Sequence, residues 1–446
     1  MFENNKIFIL GFARSGYEAA KFLAKRNNTI ILNDMKEDHD KEKLDELKEL
    51  GVQVILGSHP DDILDSSFDY LIKNPGVPID HKYVLKAKEL GVEVINEVEM
   101  AYRVMPNDVT LIGITGTNGK TTTTTLIYEM IKDSGKRVHL TGNIGYPLCS
   151  FLSKLEKDDI IVMETSCQQL ENLDKFTPDI AVMTNLSEAH IDFLKSYDNY
   201  KRVKGKIFKN HTKDNVAVLN IDNDDVVELT KDIKSTVKYF SSSNEINGCY
   251  IKDEAIYYYS EKIIELKDIK LVGRHNYENI MAAVITVKEL GISNENICNV
   301  LTTFTGVEHR LEFVREVNGR SFYNDSKATN IKSTQIALSS FDKPVILLLG
   351  GMERGQNFYE LENYMTCVKN IVCYGENKNR IKEFGDDLLI DTYVFDNLTD
   401  SVNKAYELSS EGDVILLSPS SASWDQYKCF EDRGLEYKEC VSKIGE

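Results

Sequence analysis

The chain has 446 residues, 71 acidic against 53 basic side chains, a formal charge of −18 and eight cysteines. That length suits about three domains at ~150 residues each, and so acidic a balance excludes general nucleic-acid or anionic-membrane binding, which needs a dominant positive field. The longest aliphatic run is only Val345 to Leu349 and the N-terminus has no basic-then-apolar leader, so a cytoplasmic protein without a membrane span is expected.

The cysteines form no C-x-x-C pair, which argues against a disulfide frame or structural zinc and for reduced, packed thiols. In chain order, Lys6 to Leu10 reads as a buried strand, Gly11 to Gly16 as a glycine turn, Tyr17 to Lys25 as a helix and Thr29 to Leu32 as a strand ending at Asn33-Asp34. This is half of a dinucleotide-binding pattern with Ala13 at the middle glycine, so it supports a nucleotide diphosphate about as well as a packing glycine. The Lys/Glu-rich stretch Lys36 to Leu50 reads as a solvated helix face. Strands at Asp69 to Ile72 and Val92 to Ile95, separated by a Pro75/Pro78 turn, extend the sheet, and the first domain ends near residue 100.

The next strand, Val109 to Ile114, runs into Gly116-Thr117-Asn118-Gly119-Lys120-Thr121 and then a helical stretch beginning Thr122-Thr123. Strand, glycine turn and helix in that order let a helix N-terminus face an anion, with Lys120 at the outer phosphates and the Thr121 hydroxyl available to Mg²⁺. Only the second half of the general P-loop pattern is met, because Ile114 stands where a strict motif has Gly. Further strands at Arg137 to Leu140, Ile160 to Met163 and Ile180 to Met183 end in polar residues, among them Asn143 and Glu164. Ligands in open α/β sheets sit off such carboxyl ends, and Glu164 with His190 is the pair expected to bind Mg²⁺. On pattern alone the basic run Tyr200 to Asn210 reads as a lysine-rich surface face. Asn276 and Asn279 open the apolar helix Ile280 to Leu290, where amides cap a helix or read a base edge.

The last segment starts near Gly306. A hairpin, Phe313 to Val317 with Ser321 to Asn324, leads to Asp325-Ser326-Lys327-Ala328-Thr329-Asn330 and a helix from Ile331 to Ser340. Strands at Val345 to Leu349, Ile371 to Tyr374 and Val414 to Leu417 then give another doubly wound sheet, with loops Gly350 to Gly355 and Ser418 to Asp425 leaving it.

The motif Gly116 to Thr121, Glu164, Asn185 to Asp192, His275 to Asn279, His309-Arg310 and Asn324 to Asn330, in one order along the whole chain, resembles the Mur ligases. The Asn-Asp-Ser-Lys-Ala-Thr-Asn string is similar to the branch that adds D-glutamate to UDP-N-acetylmuramoyl-L-alanine. The resemblance implies three α/β domains. The expected boundaries are 1–100 for a Rossmann-like UDP-substrate domain, 101–306 for a mostly parallel P-loop ATPase domain and 307–446 for a Rossmann-like amino-acid domain. It also implies an ATP-dependent amide-bond ligase of peptidoglycan precursor synthesis that works through an acyl phosphate, a monomer acting on small molecules.

By the same resemblance, Lys120, Glu164, His190 and Lys204 are catalytic, and Thr121, Glu164, His190 and Lys204 hold Mg²⁺ at two sites, with Lys204 as a carbamate. Gly116, Thr117, Asn118, Gly119, Lys120, Thr121, Thr122, Asn276, Asn279, Arg310 and Asp325 match ATP positions. Lys327, Thr329, Arg354, Ser423 and Phe430 match D-glutamate positions, and Ser15, Asp34, Gly76 and Asn143 those of the UDP-sugar. Arg354 stands where some members have lysine, and Met35 where some offer a hydroxyl near the uracil. The rivals are another Mur ligase, a folylpolyglutamate synthetase-like ligase, or a non-catalytic nucleotide or UDP-sugar binding protein.

Overall fold

A computed structural model describes residues 1–189, 194–271, 273 and 275–445. Met1–Asp268 with Tyr277–Thr302 form one compact unit, and Ile269–Asn276 with Thr303–Glu446 the other.

The first unit carries two sheets. Strands β1 (Lys6–Leu10), β2 (Thr29–Asp34), β3 (Gln53–Leu56), β4 (Tyr70–Lys73) and β5 (Glu93–Ile95) pair in the order β3-β2-β1-β4-β5, all parallel. Alternate residues of β1 enter different cores: Ile7 and Ile9 join one cluster, Phe8 and Leu10 the other. Burial on both faces explains why this strand reads as an unbroken apolar run. The helix after β1 spans Arg14–Ala24 and so begins inside the predicted turn. Gly16 falls in its first turn, where a Cβ would overlap the Gly11 carbonyl. In this chain Gly16 is therefore a close-packing glycine. Strand β3 was not anticipated, and the Lys36 to Leu50 stretch is helical only over Lys41–Glu49, capped by the Asp40 side chain.

The second sheet contains β6 (Thr110–Thr115), β7 (Val138–Gly142), β8 (Ile160–Glu164), β9 (Ile180–Met183), β10 (Val216–Asn220), β11 (Thr236–Ser241), β12 (Cys249–Lys252), β13 (Ala255–Tyr258) and β14 (Glu261–Glu265). Their order is β14-β13-β12-β11-β10-β9-β6-β8-β7, parallel except for the antiparallel β12-β13-β14 edge.

The second unit holds β15 (Glu312–Val317), β16 (Arg320–Asn324), β17 (Val345–Gly350), β18 (Val368–Tyr374), β19 (Thr392–Val394) and β20 (Val414–Leu417), in the order β15-β16-β20-β17-β18-β19. Only the β15-β16 hairpin is antiparallel. Val345, Leu347 and Leu349 of β17 enter one core and Ile346 and Leu348 the other. At roughly 1.5–3 kcal/mol for each fully buried side chain of this size, this central strand anchors the unit and holds the loops that follow its neighbours. All eight cysteines are free thiols, five of them buried. Among the described residues no helix is long and apolar enough to cross a membrane.

Candidate active site

The glycine turn Gly116–Lys120, the predicted phosphate loop, leaves β6 and enters the helix Lys120–Asp133. Gly119 precedes that helix at φ +79°, a left-handed conformation that glycine adopts without a Cβ penalty. Space is tight there as well, because a Cβ on Gly119 would overlap Asn279 Oδ1. Asn279 Oδ1 also accepts from Thr123 Oγ1 at 3.4 Å, so an amide predicted to touch nucleotide abuts the loop itself. Gly119→Ala should therefore shift the loop and weaken ATP binding by tenfold or more while the UDP-linked substrate still binds. Paired calorimetric titrations check this, and unchanged ATP affinity would contradict it.

The turn after β9 clamps the loop. Thr117 N–H donates to Asn185 O at 2.9 Å and Asn118 N–H to Asn185 Oδ1 at 2.9 Å, while Thr184 Oγ1 donates to Asn118 O at 2.6 Å. Thr117 Oγ1 also shares a 2.9 Å hydrogen bond with Tyr200 Oη. Two amides of the cradle are thus already engaged, which leaves the first turn of the helix at Lys120, Thr121 and Thr122 as the amide-rich face. Lys120 Nζ bends back over the loop and donates to Gly116 O and Thr117 O at 3.0 and 2.9 Å.

Lys204 corrects the surface-face reading. On the helix Tyr197–Gly205 and the following turn, Tyr200, Val203, Lys204, Ile207 and Phe208 are all buried. That i, i+3, i+4, i+7, i+8 stripe faces the core and could have been read from the apolar residues around the lysine. Lys204 Nζ donates to Gly116 O at 2.7 Å and Thr115 Oγ1 at 3.1 Å. Burial, helped by the neighbouring Lys120 charge, holds its ammonium well below the usual lysine range. A neutral amine is the form that combines with CO₂.

Glu164 ends β8, opposite Ile114 in register. Its Oε1 accepts from Asn143 Nδ2 at 2.7 Å, whereas Oε2 is buried with no hydrogen-bond partner. A buried carboxylate oxygen left unsatisfied is costly, and beside a phosphate loop it suits a hard cation. Thr121, also buried, offers a hydroxyl oxygen, so the oxygen donors present, Glu164 and Thr121, fit Mg²⁺. His190, the remaining predicted ligand, lies outside the described residues. Among the described residues no three His, Cys, Asp or Glu side chains gather into a metal site.

Ser15 and Asn143 line a cavity of about 260 Å³ together with Arg14, Asn74, Pro75 and Glu97. Asn74 Nδ2 donates to Ser15 Oγ at 3.1 Å, and Gly76 N–H to Asn74 Oδ1 at 3.3 Å, so Gly76 is tied to the same wall. Asp34 accepts from Phe12 N–H at 2.6 Å and Lys36 N–H at 2.8 Å, bracing the glycine turn. Glu97 is buried and accepts Cys149 N–H at 2.7 Å; burial raises its carboxyl to about 7. Arg14, Asn74 and Glu97 were not singled out from sequence. Met35 is exposed.

In the second unit, the loops after the adjacent strands β16, β20 and β17 carry the predicted amino-acid residues. Lys327 Nζ lies 5.5 Å from the centre of the Phe430 ring, and the Arg354 guanidinium 4.5 Å from that of Trp424. Ser423 is buried with an unpartnered hydroxyl, and Thr329 is exposed on its loop. Arg433, missed from sequence, ties these loops together: its fully buried guanidinium donates to Ser326 Oγ at 3.0 Å, Ser326 O at 2.8 Å and Ser421 O at 3.0 Å. The Phe430–Lys443 helix places Arg433 one turn after Phe430. Asp325 accepts from Ser418 Oγ at 2.7 Å and Leu311 N–H at 3.2 Å, and burial raises its carboxyl to about 7 against the pull of Arg310. Asn276 N–H donates to Gly273 O at 2.9 Å within this unit.

A glycine turn at a helix start, an orphaned carboxylate beside it and three α/β sheets suit an ATP-using enzyme of the α/β class. Three family models match: "Mur ligase MurD-like, N-terminal domain" over residues 5–96, "Mur ligase middle domain" over 114–287 and "Mur ligase, glutamate ligase domain" over 309–421. The chain belongs to the Mur ligase family. It is 44% identical to the UDP-N-acetylmuramoylalanine–D-glutamate ligase of Geobacillus sp. (strain WCH70), across 99% of this chain and 98% of that relative. Identity to the protein of the same name from Bacillus cereus (strain G9842) is 43%, over the same shares. Among solved structures, the UDP-N-acetylmuramate-alanine ligase of Thermotoga maritima superposes with a TM-score of 0.59 at 18% identity, covering 98% of this chain and 99% of that one. The MurF ligase of Thermotoga maritima in complex with ADP gives 0.57 at 16%, over 99% and 96%. At such identities the two share the fold.

Proposed function

We propose that the chain joins D-glutamate to UDP-N-acetylmuramoyl-L-alanine at the expense of ATP, in the cytoplasm and as a monomer, during synthesis of the peptidoglycan precursor. The observation that carries this reading is the full-length similarity to D-glutamate ligases, supported by a third domain whose Lys327, Ser423 and Phe430 loops are held by Arg433. The proposed division is 1–100 for the UDP-linked substrate, 101–306 for ATP and 307–446 for the amino acid.

In the reaction, a carboxylate oxygen of the L-alanyl group attacks the γ-phosphorus, and the bond from γ-phosphorus to the bridging oxygen breaks to release ADP. The D-glutamate amine then attacks the acyl carbon of the acyl phosphate, and inorganic phosphate leaves. Little of this demands covalent help from the protein, so positioning and charge neutralisation do most of the catalysis. The helix start at Lys120–Thr122 holds the phosphates, and Lys120 meets the charge that builds on them. Ser15, Asn74 and Asn143 seat the UDP-linked substrate, while Asn276, Asn279, Arg310 and Asp325 hold the nucleoside end of ATP. Lys327, Thr329, Arg354, Ser423 and Phe430 receive D-glutamate, with Arg354 and Lys327 as countercharges to its carboxylates. Thr121, Glu164, His190 and Lys204 as a carbamate would hold Mg²⁺ at two sites, which when bound offsets phosphate charge.

Phosphate release with the UDP-linked substrate, ATP, Mg²⁺ and a panel of amino acids tests the reading. D-Glutamate should support turnover at least a hundredfold faster than L-alanine, L-glutamate or meso-diaminopimelate. Equal turnover with another amino acid would make the chain a different Mur ligase, and no turnover with any would make it a binding protein.

A further inference from the structure

The side chain of Lys73, the last residue of β4, is fully buried. Its Nζ donates to Val77 O at 2.7 Å and lies 3.5 Å from both Asn74 O and Pro75 O. Three carbonyls of one short turn thus converge on a single ammonium. The turn is closed by Val77 N–H donating to Asn74 O at 3.0 Å. Its Asn74 side chain reaches outward to Ser15 Oγ and the Gly76 N–H, and Asn74 and Pro75 form part of the cavity wall. Carbonyl dipoles gathered at one point repel each other in a dry interior, so this turn keeps its shape only with a cation or strong donor at its centre.

We propose that Lys73 is a positioning residue for the UDP-linked substrate, its buried ammonium acting as the internal cation that shapes the Asn74–Val77 turn against the Ser15 wall of the cavity. The inference rests on the assignment of that cavity to the UDP-linked substrate. Lys73 touches no substrate, and its effect passes through Asn74 and the Gly76 backbone.

The groups facing Lys73 set its pH response. Glu171, which follows the helix Cys167–Leu170, favours the charged form, and Lys88 on the helix Lys82–Glu89 opposes it. Burial is the largest influence and, together with Lys88, outweighs Glu171, lowering the ammonium from 10.5 to about 8. The charge is therefore present at pH 7 and lost as the pH rises through about 8. The unfolded chain keeps this proton up to about 10.5, so losing it between those values favours the folded state. The penalty of deprotonation falls on the turn and on substrate affinity, not on the fold.

Calorimetric titration of wild type and Lys73→Met with UDP-N-acetylmuramoyl-L-alanine, from pH 7 to 9, tests this, with steady-state kinetics alongside. At pH 7 the variant should bind the UDP-linked compound about tenfold more weakly, with a matching rise in its KM, while kcat and ATP affinity stay within twofold. Wild-type Kd should rise several-fold between pH 7.5 and 9, and that dependence should vanish in the variant. Equal Kd in both proteins, or a loss confined to kcat, overturns the proposal. Should the variant fail to fold, the wild-type series decides, read from pH 8 to 9 where Glu97 on the same wall is already ionised, a flat Kd there being the negative result. A wild type that turns over ATP with D-glutamate yet binds this compound elsewhere refutes the cavity assignment and the positioning role together. A wild type that binds it at Ser15 and Asn143 while Lys73→Met behaves identically refutes the positioning role alone.

Discussion

Lys204→Ala should lower kcat on the order of a thousandfold, the upper end of the loss when one preorganised electrostatic group is removed, and Lys204→Arg should do no better. The lysine is buried beside Gly116 and Thr115, where an unmodified ammonium would sit close to Lys120 with no carboxylate hydrogen-bonded to it among the described residues. A carbamate reverses the sign of that position and supplies the oxygens Mg²⁺ prefers. Arginine restores only positive charge. Single-turnover acyl-phosphate formation is the measurement. Full activity in Lys204→Arg would mean that this lysine acts as a cation.

The second large effect is at Lys120. Lys120→Ala should cost on the order of 3 kcal/mol, or roughly a hundredfold in rate, because its ammonium gains most as charge moves during phosphoryl transfer. ATP affinity should fall much less, since the amides at the helix start remain. The UDP-linked substrate should bind as before, the cavity proposed for it being lined by Ser15, Asn74 and Asn143. Calorimetry with the UDP-linked substrate beside rapid-quench phosphorylation separates the two halves. A variant that phosphorylates substrate at the wild-type rate would make Lys120 a structural lysine whose role ends at Gly116 O and Thr117 O.

How far these sites were legible follows from how local their signals are. The glycine turn at Gly116–Lys120 announces itself because strand, turn and helix are contiguous, and β17 because burial on both faces leaves five aliphatic residues in a row. The β12-β14 edge did not, since its short strands mix Tyr, Lys and Glu and alternate only weakly. Lys204 was misread by pattern because lysine normally marks a solvent face, although Tyr200, Val203, Ile207 and Phe208 around it describe a buried one. Arg433 and Lys73 were invisible for a related reason. Their partners are mostly backbone carbonyls, which every sequence supplies and no residue type advertises. The acidic pair Glu97 and Asp325 gave no hint of titrating near neutrality, because that property comes from burial by distant segments.

The division of the chain has a consequence for its biosynthesis. The first compact unit runs to Asp268 and is completed by Tyr277–Thr302, after the chain has passed through Ile269–Asn276. Thr123 and its partner Asn279 are 156 residues apart. At ~5–20 residues per second of translation, the phosphate loop waits on the order of ten seconds on the ribosome before Asn279 emerges to fill the space over Gly119. Any expression fragment of the nucleotide unit that stops at Asp268 freezes the polypeptide in that nascent condition, so a self-sufficient fragment has to extend through Thr302.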